Sequence, residues 1–304
     1  MKIASLLPSA TEIVYALGMG DALVGVTDEC DYPPDAVTKP VVSRSALPQG
    51  RSMNAVDIDR AVRARVTQDE ALYVLDRELL RREQPDVILT QDLCRVCAVP
   101  AGQVQRALDE LGLPQAKVVS LDPNTLEEVI DQIETVGGVL DTQDAARELT
   151  ATMRARVARV KETATRVPIL SVFPLEWSEP PFAAGHWVPQ MIELAGGTPV
   201  LCEKGKPSRE TAWHEIRTAA PEVVVFMPCG YYLEEAEEEA DGFLHHPEFA
   251  DTPAARNGNV FAVDATSYFS RPGPRIVDGL EILAWAIHPE AYPAPPEGTV
   301  ARLG

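Results

Sequence analysis

IASLLPSATEIVYALGMGDALVGVTDECDYPP, residues 3–34, is the stretch of sequence that decides the fold. The run Lys2–Leu7, which begins one residue before this stretch, predicts a short strand. The residues that follow predict a helix with Ser9 as its N-cap and Gly18 as its end. A second apolar run at residues 22–27 predicts the next strand, which leads into a polar turn that contains prolines. A short apolar strand, a helix and another short apolar strand are typical of a parallel α/β unit.

The same alternation of apolar runs and helical segments continues along the chain and restarts after Pro168. The runs that predict strands are PDVILT (85–90), AKVVSL (116–121), ILSVFPL (169–175), PEVVVFMP (221–228) and NVFAVD (259–264). Because helical patterns lie among them, the chain is predicted to be α/β, with two Rossmann-like lobes. The Pro-rich C-terminal stretch, residues 292–304, is predicted to be loose.

A long helical pattern without glycine or proline, residues 142–165, separates the two sets of α/β units. Its apolar positions form a narrow stripe, and at 1.5 Å per residue it would span roughly 35 Å. This pattern predicts a single long helix that joins the lobes. We therefore expect an N-terminal α/β lobe at residues 1–138, a connecting helix at 139–166 and a C-terminal α/β lobe at 167–304.

Charge and hydropathy restrict the class of function. The chain of 304 residues has a formal net charge of −19, with 45% hydrophobic and 24% charged residues. A phosphate-binding surface needs clustered lysine and arginine, so the charge argues against nucleic acid as a partner. No apolar run approaches the roughly 18 residues of a membrane span, which argues against membrane insertion.

The N-terminal sequence bears on the compartment. A secretory signal needs a basic start and an unbroken apolar core, whereas this stretch has a single lysine and is interrupted by Pro8 and Glu12. We therefore expect a cytoplasmic protein from the sequence as written. The alternative is the periplasm or the cell surface, if the N-terminus is trimmed.

An internal echo links the two halves of the chain. ELLRREQPDVILTQDLC, residues 78–94, and EIRTAAPEVVVFMPCG, residues 215–230, each predict a helix, a Pro-acidic pair, an apolar strand and a cysteine just after the strand. Ligands of open α/β sheets bind beyond the carboxyl ends of the strands. Cys94 and Cys229 are therefore both expected to point towards a ligand-binding cleft between the lobes.

The cysteines permit several kinds of site. Cys94 and Cys97 form a C-x-x-C, but a structural zinc site needs four ligands, and the sequence offers neither a second pair nor a nearby histidine. A disulfide, local or with Cys30, is one alternative, and buried thiols are another. A thiol redox pair at Cys94 and Cys97 is a third. The fourth is soft-ligand contact with a metal or a metal complex by Cys30, Cys94, Cys97 and Cys229.

Aromatic and polar residues of the second half are candidate ligand contacts. Aromatic rings with a polar tip suit a flat macrocyclic ligand, by stacking and hydrogen bonding. Arginine could hold a ligand amide, carboxylate or phosphate through its planar fork. The alternatives are a Trp187 that covers the core, a His186 that only makes a turn, and a loop salt bridge for Arg271. The candidates are Trp177, Phe182, His186, Trp187, Tyr268, Phe269 and Arg271.

Several stretches together resemble the vitamin B12 and iron-siderophore binding proteins of ABC importers, most closely the cobalamin-binding branch. The stretches that carry the resemblance are residues 3–34, QPDVILT (84–90), PPFAAGHWVPQMIELAGG (180–197), PEVVVF (221–226) and SRPGPRIVDGLEILAWAIHP (270–289). The resemblance covers nearly the whole chain. It implies a helical-hinge periplasmic-binding-protein fold, with one ligand held in the cleft between the lobes.

The resemblance also implies roles for particular residues. In such receptors a surface acid on each lobe can pair with arginines of the permease, and the matching positions here are Glu78 and Glu215. Corrinoid receptors tend to place aromatic residues after the second strand and after the PDVI strand. Glu29 and Gln91 stand at those places in this chain and are predicted to contact the ligand.

These observations predict a binding protein rather than an enzyme, since the sequence lacks G-x-S-x-G, G-x-x-x-x-G-K-[ST] and H-E-x-x-H motifs. The resemblance implies a corrinoid ligand and a role as the substrate-binding component of an ABC importer or as a soluble carrier. We expect a monomer with no obligatory cofactor and an ABC permease as its partner. The alternatives are a different metal complex or cluster held by the cysteines, and a cytosolic thiol redox protein or enzyme.

Overall fold

The computed structural model describes residues 1–46, 55–67, 72–92, 99–111, 113 and 115–303. The described chain divides into two compact units. The N-terminal unit consists of Met1–Asp122 and Asp131–Thr150, and the C-terminal unit consists of Pro123–Ile130 and Ala151–Gly304.

The N-terminal unit is built on a mostly parallel sheet with the strand order β4-β3-β2-β1-β5-β6. The strands are β1 (Ile3–Ser5), β2 (Leu23–Thr27), β3 (Val41–Ser45), β4 (Tyr73–Leu75), β5 (Val87–Thr90) and β6 (Lys117–Ser120). Only β4 runs antiparallel to its neighbour among the described strands of this sheet. The helices are α1 (Pro8–Ala16), α2 (Ala55–Thr67), α3 (Arg77–Glu83), α4 (Ala101–Leu111) and α5 (Leu126–Val139), whose first turn belongs to the C-terminal unit.

Helix α1 begins two residues earlier than the sequence predicts. Its N-cap is Leu7, and Pro8 is the first helical residue, so Ser9 lies inside the helix, in its first turn. Proline suits this position because its fixed φ is already helical and its missing N–H would have had no partner there. The prediction of Ser9 as N-cap is wrong for this reason.

The long helix predicted for residues 142–165 is present as α6 (Gln143–Ala164). Its narrow apolar stripe includes Met153 and Val160, which are 2% and 4% exposed. In the C-terminal unit, the Arg156 guanidinium lies between Asp278 and Glu281, with 3.0 Å from Nε to Glu281 Oε1. These bonds fix the second half of α6 within that unit.

The C-terminal unit is built on a sheet with the order β10-β8-β7-β11-β12-β13, and β9 also pairs with β7. The strands are β7 (Leu170–Ser178), β8 (Pro181–Ala183), β9 (Gly197–Pro199), β10 (Arg209–Glu210), β11 (Val223–Phe226), β12 (Val260–Val263) and β13 (Val300–Leu303). Strands β7, β11 and β12 are parallel, and β13 runs antiparallel to β12.

The helices of the C-terminal unit cover this sheet. They are α7 (Val188–Leu194), α8 (Trp213–Ala219), α9 (Leu233–Leu244), α10 (Pro247–Ala250), α11 (Pro253–Arg256), α12 (Ala265–Tyr268) and α13 (Ile276–Ile287). A fully apolar cluster lies between the sheet and α8 to α11, and it includes Phe173, Trp213, Phe226, Phe243 and Phe249.

The C-terminal stretch is not loose throughout. Val300–Leu303 forms β13, in which Leu303 pairs with Val260 and Val300 pairs with Val263. Leu303 is 9% exposed and belongs to the apolar cluster under the sheet. The prediction was wrong because the residues that pair with this strand lie about 40 positions earlier, where no local pattern reports them.

Candidate ligand-binding surface of the C-terminal unit

The parallel strands β7, β11 and β12 bring their carboxyl ends to one edge of the C-terminal sheet. Phe226 pairs with Leu175 on one side and with Ala262 on the other, so the segments that follow these residues meet. We call the segments at residues 176–178, 181–187, 227–231 and 264–271 the carboxyl edge, which leaves out the turn of the β7–β8 hairpin at residues 179–180. Such an edge is where open α/β sheets bind ligands.

An aromatic pair lies at the carboxyl edge. The rings of Trp177 and Tyr231 meet edge to face, with 5.6 Å between their centroids and 76° between their planes. Both side chains are half-buried, and the indole N–H of Trp177 is buried without a hydrogen-bond partner in the described part of the chain. Burial, together with Glu239 and Glu235, raises the pKa of Tyr231 to about 12, so its phenol stays neutral. The pair offers apolar faces and an indole donor that has no partner.

A β-bulge shapes the hairpin of β7 and β8 beside this pair. Leu175 pairs with Ala183 and Trp177 pairs with Phe182, which leaves Glu176 as the extra residue on β7. A bulge redirects the side chain that it contains. The Glu176 carboxyl group is hydrogen-bonded to Ser208, and burial raises its pKa from 4.5 to about 7.

The turn after β8 depends on a glycine. A Cβ atom on Gly185 would overlap with the backbone of residues 206–208, which passes directly against it. The Gly185 N–H donates to the Ser208 hydroxyl at 3.1 Å. The next residue, His186, adopts a φ of 52° and donates its N–H to the Lys206 carbonyl at 2.6 Å. This close approach holds the predicted His186 at a fixed place.

The His186 ring has no fixed polar partner at one of its nitrogens. Its Nδ1 is buried and makes no hydrogen bond to any described residue. Burial lowers the pKa of the imidazole, so the neutral ring is favoured at neutral pH. A neutral ring with an unused nitrogen can donate to or accept from a ligand.

Trp187 connects parts of the C-terminal unit that are far apart in sequence. Its indole Nε1 donates to the carbonyl oxygen of Phe269 at 2.9 Å, and its side chain is 6% exposed. Phe269 is 3% exposed. Both residues therefore hold the loop before α7 against the end of α12, and little of either ring is left to touch a ligand.

Arg271 is buried rather than projected into solvent, at 8% exposure. The carboxyl group of Asp264 caps α12 by accepting the Ser267 N–H at 2.8 Å. Burial raises the pKa of Asp264, while the hydrogen bonds of Ser267 and the charges of Arg275 and Arg271 act to lower it. The arginine charge at this edge is therefore partly balanced by Asp264.

Tyr268 faces a separate cavity. The guanidinium of Arg275 lies over its ring, with 5.7 Å from Cζ to the centroid. The cavity, of about 670 Å³, is bounded by α6, α13 and the Pro-rich stretch after residue 290. Tyr268 thus lines a space that the sequence did not predict.

The candidates in the N-terminal unit differ in exposure. Glu29 is exposed in the turn after β2, whereas Gln91 is 4% exposed and donates through Nε2 to the Leu121 carbonyl at 3.0 Å. Cys30 is buried, with its Sγ 3.0 Å from the Thr11 hydroxyl. Gln91 therefore serves the local structure after β5, and Glu29 is accessible.

Two of the four cysteines of the predicted metal site, Cys30 and Cys229, lie within the described residues. Cys94 and Cys97 lie outside the described residues, and Cys229 is exposed after β11. Among the described residues, no group of three or more His, Cys, Asp or Glu side chains is arranged to hold a metal ion. The cysteine-metal, disulfide and redox interpretations of the C-x-x-C stay predictions.

The predicted docking acids both lie in the first turn of a short helix. Glu78 is exposed in α3, and Glu215 is half-buried in α8. The Glu215 Oε2 atom accepts the Thr211 hydroxyl at 2.7 Å and the Ala212 N–H at 3.1 Å. These bonds lower the pKa of Glu215, so it is ionised and held in one orientation.

The sequence model of the family described as "Periplasmic binding protein" matches residues 3–266. This chain belongs to that family. The family resemblance predicted from the sequence is therefore confirmed.

Individual periplasmic binding proteins are similar over almost the entire chain. The vitamin B12-binding protein of Vibrio cholerae serotype O1 is 26% identical over 284 residues, which are 92% of this chain and 86% of that protein. YvrC of Bacillus subtilis, an ABC transporter substrate-binding lipoprotein, is 25% identical over 303 residues. The match covers 96% of this chain and 81% of the length of YvrC.

A solved periplasmic binding protein shows the fold. The heme-binding protein RhuT from Roseiflexus sp. RS-1 has a TM-score of 0.69 at 24% identity. The superposition covers 95% of this chain and 98% of the RhuT chain. The predicted architecture, two α/β lobes joined by a long helix, is confirmed. The exact lobe boundaries at 1–138, 139–166 and 167–304 stay a prediction. The similar proteins named here are binding proteins rather than enzymes.

The prediction of a cytoplasmic protein is wrong. The matched family is described as periplasmic, and the Bacillus subtilis relative is a lipoprotein. Both findings point to an extracytoplasmic location. Separately, none of the described helices combines the length and the apolar character that crossing a membrane requires.

Three residues of the carboxyl edge and its surroundings were not among the predicted contacts of this periplasmic binding protein: Glu176, Ser208 and Tyr231. The sequence could have pointed to Glu176, because an acid in the otherwise apolar run ILSVFPLEW is unusual for a buried strand. Ser208 gave no signal, since only the fold brings it to Gly185.

Proposed function

We propose that this chain is the substrate-binding component of an ABC importer and that its ligand is a corrinoid. The family membership and the named relatives support the first part. The Vibrio cholerae relative supports the second part, because it is named for binding vitamin B12.

The observation that carries the proposal is the aromatic pair at the carboxyl edge. Trp177 and Tyr231 meet edge to face, and two polar atoms of the same edge, Trp177 Nε1 and His186 Nδ1, are buried without a partner among the described residues. Apolar surface with a few polar groups is the usual composition of a site for a large organic ligand. A corrin ring, which is broad, largely apolar and edged with amides, matches both properties.

The experiment is a titration of the purified chain with cyanocobalamin and cobinamide, followed by absorbance and calorimetry. We expect micromolar or tighter binding of at least one. Absence of binding to either compound would refute the corrinoid assignment. In parallel, Tyr231→Ala is expected to weaken binding about tenfold or more, because a stacked ring contributes on the order of 1–2 kcal/mol. Tyr232→Ala, which removes the exposed neighbouring ring, is the matched control and should leave the affinity within twofold.

Glu78 and Glu215 are proposed to dock on a permease through its arginines. Both acids lie in the first turn of the helix that directly precedes a parallel strand of its sheet, β5 or β11. The Glu78→Ala, Glu215→Ala double variant should bind the ligand as the wild type does but fail to support uptake in vesicles that contain the permease. Glu237→Ala, Glu238→Ala, on the exposed face of α9, controls for the lost charge. Normal uptake by the docking variant would contradict this role.

A further inference from the structure

Glu176 is a charged residue whose place in the strand needs an explanation. It is the unpaired residue of the β7 bulge, directly before Trp177, and its side chain is half-buried. Burying a carboxyl group is unfavourable unless hydrogen bonds or an opposite charge compensate.

Few interactions within the protein offset the cost of burying the Glu176 carboxyl group. Glu176 takes part in no ion pair in the described part of the chain, and its hydrogen bond comes from the Ser208 hydroxyl. That hydroxyl is itself oriented, because its oxygen accepts the Gly185 N–H at 3.1 Å. Burial is the largest influence on the carboxyl group and raises its pKa to about 7. One donor leaves most of the acceptor capacity of a carboxylate unused.

The arginines of the same edge do not contribute to the pKa shift of Glu176. Arg271 and Arg275 act on the carboxyl group of Asp264, and Arg275 also lies over the Tyr268 ring. Above about pH 7 the carboxyl edge around Trp177 therefore presents a carboxylate acceptor rather than a receptor for anions.

This property separates two ligand chemistries. A macrocycle edged with carboxamides brings N–H donors, which a carboxylate accepts. A macrocycle edged with carboxylates, such as heme, brings like charges, whose juxtaposition in a partly buried site is strongly unfavourable. Repulsion of the wrong ligand is a common source of specificity.

We propose that Glu176, positioned by Ser208, is a specificity-determining contact that accepts N–H groups from an amide-edged macrocycle and rejects a carboxylate-edged one. The inference rests on the proposed function, because it assigns the discrimination to the same surface that is proposed to bind the corrin ring. It explains why an acid occupies a bulge in an apolar strand next to Trp177.

The test compares two corrinoids that share the cobalt and the corrin ring. Cobinamide carries peripheral amides, and cobyrinic acid carries carboxylates in their place. Affinities of both for the wild type, Glu176→Gln and Glu179→Gln are measured at pH 8 by calorimetry. Glu179 is the matched control, since it is an exposed acid in the turn of the same hairpin. Thermal unfolding verifies that each variant is folded.

The wild type is expected to prefer cobinamide by at least tenfold. In Glu176→Gln the preference should fall about tenfold, mainly through tighter binding of cobyrinic acid, while Glu179→Gln keeps the wild-type preference. An unchanged preference in Glu176→Gln, with cobinamide still bound, overturns this inference and leaves the proposed function intact. If the wild type binds no corrinoid at all, the proposed function fails and the inference with it. Glu176→Met, neutral and of similar length, gives the same comparison if Glu176→Gln does not fold.

Discussion

The carboxylate of Glu222 accepts the backbone N–H of Ser171, with 2.8 Å between Oε2 and N. The N-terminal unit repeats this relationship, since Asp86 accepts the N–H of Lys2 at 2.7 Å. In each unit the acid directly precedes a parallel strand, β5 or β11, and binds the residue just before, or at the start of, the parallel neighbour of that strand, β1 or β7. The acids thus help to fix the register of the parallel pairs β1/β5 and β7/β11.

The helices that lead into these acids also correspond. The C-cap of α3 is Gln84, with a φ of 48°, and the C-cap of α8 is Ala220, with a φ of 47°. A proline follows each of these residues, as expected after a left-handed helix end. The internal echo in the sequence is therefore present as a repeated helix end, turn and strand.

Replacing Glu222 with alanine should lower the stability of the C-terminal unit. The change removes the acceptor for the Ser171 N–H and for its hydroxyl, which lies 3.1 Å away. We expect a loss of about 1 kcal/mol in the free energy of unfolding, measured by urea denaturation. Glu238→Ala, an exposed position on α9, should change it by less than about 0.5 kcal/mol. Equal effects of the two changes would argue against the register role.

Replacing Trp187 or Trp177 of the carboxyl edge with phenylalanine should change the free energy of unfolding by different amounts. Trp187→Phe removes the donor to the Phe269 carbonyl and should cost about 1–3 kcal/mol of unfolding free energy. Trp177→Phe removes an indole N–H that has no partner among the described residues, so its stability should stay within about 1 kcal/mol of the wild type. Chemical denaturation of both variants measures the difference. A Trp177→Phe protein that is the less stable of the two would contradict the assignment.

Glycine at position 279 is required by close packing. A Cβ atom there would overlap with the Tyr268 carbonyl oxygen, so Gly279→Ala should push α13 away from α12 and destabilise the unit by more than about 2 kcal/mol. Gly138, near the end of α5, has open space around it. Gly138→Ala should therefore be neutral or stabilise by up to about 1 kcal/mol. Melting temperatures that move in the same direction by the same amount would refute this explanation.

Glu176 predicts a defined pH dependence of stability. Its pKa rises from 4.5 to about 7 on folding, so the folded protein holds this proton more tightly than the unfolded chain. The contribution to stability is complete below about pH 4.5 and is lost as the pH rises through about 7, by an amount on the order of 3 kcal/mol. Denaturation at a series of pH values should show this loss in the wild type and not in Glu176→Gln. Parallel curves for the two proteins would exclude this carboxyl group as the source.

Local patterns predicted the regular elements well where burial and periodicity agree. Helix α6 spans Gln143–Ala164, within a residue of the predicted ends at 142 and 165, because its sequence contains no residue that breaks a helix. Short elements such as β8 and β10 were missed, since two or three residues carry no periodic signal and pair only after the chain has folded back. The same reason accounts for the missed strand at Val300–Leu303.

By itself, the sequence determined the α/β alternation, the long connecting helix, the repeated turn before β5 and β11, and the family. These features depend on residues that are close together in the chain. Only the tertiary structure decided that Trp187 holds Phe269, 82 positions away, and that Glu176 meets Ser208 instead of a cation. The hydrogen-bond partner and the burial of a side chain depend on which distant segment packs against it, and no local pattern contains that information.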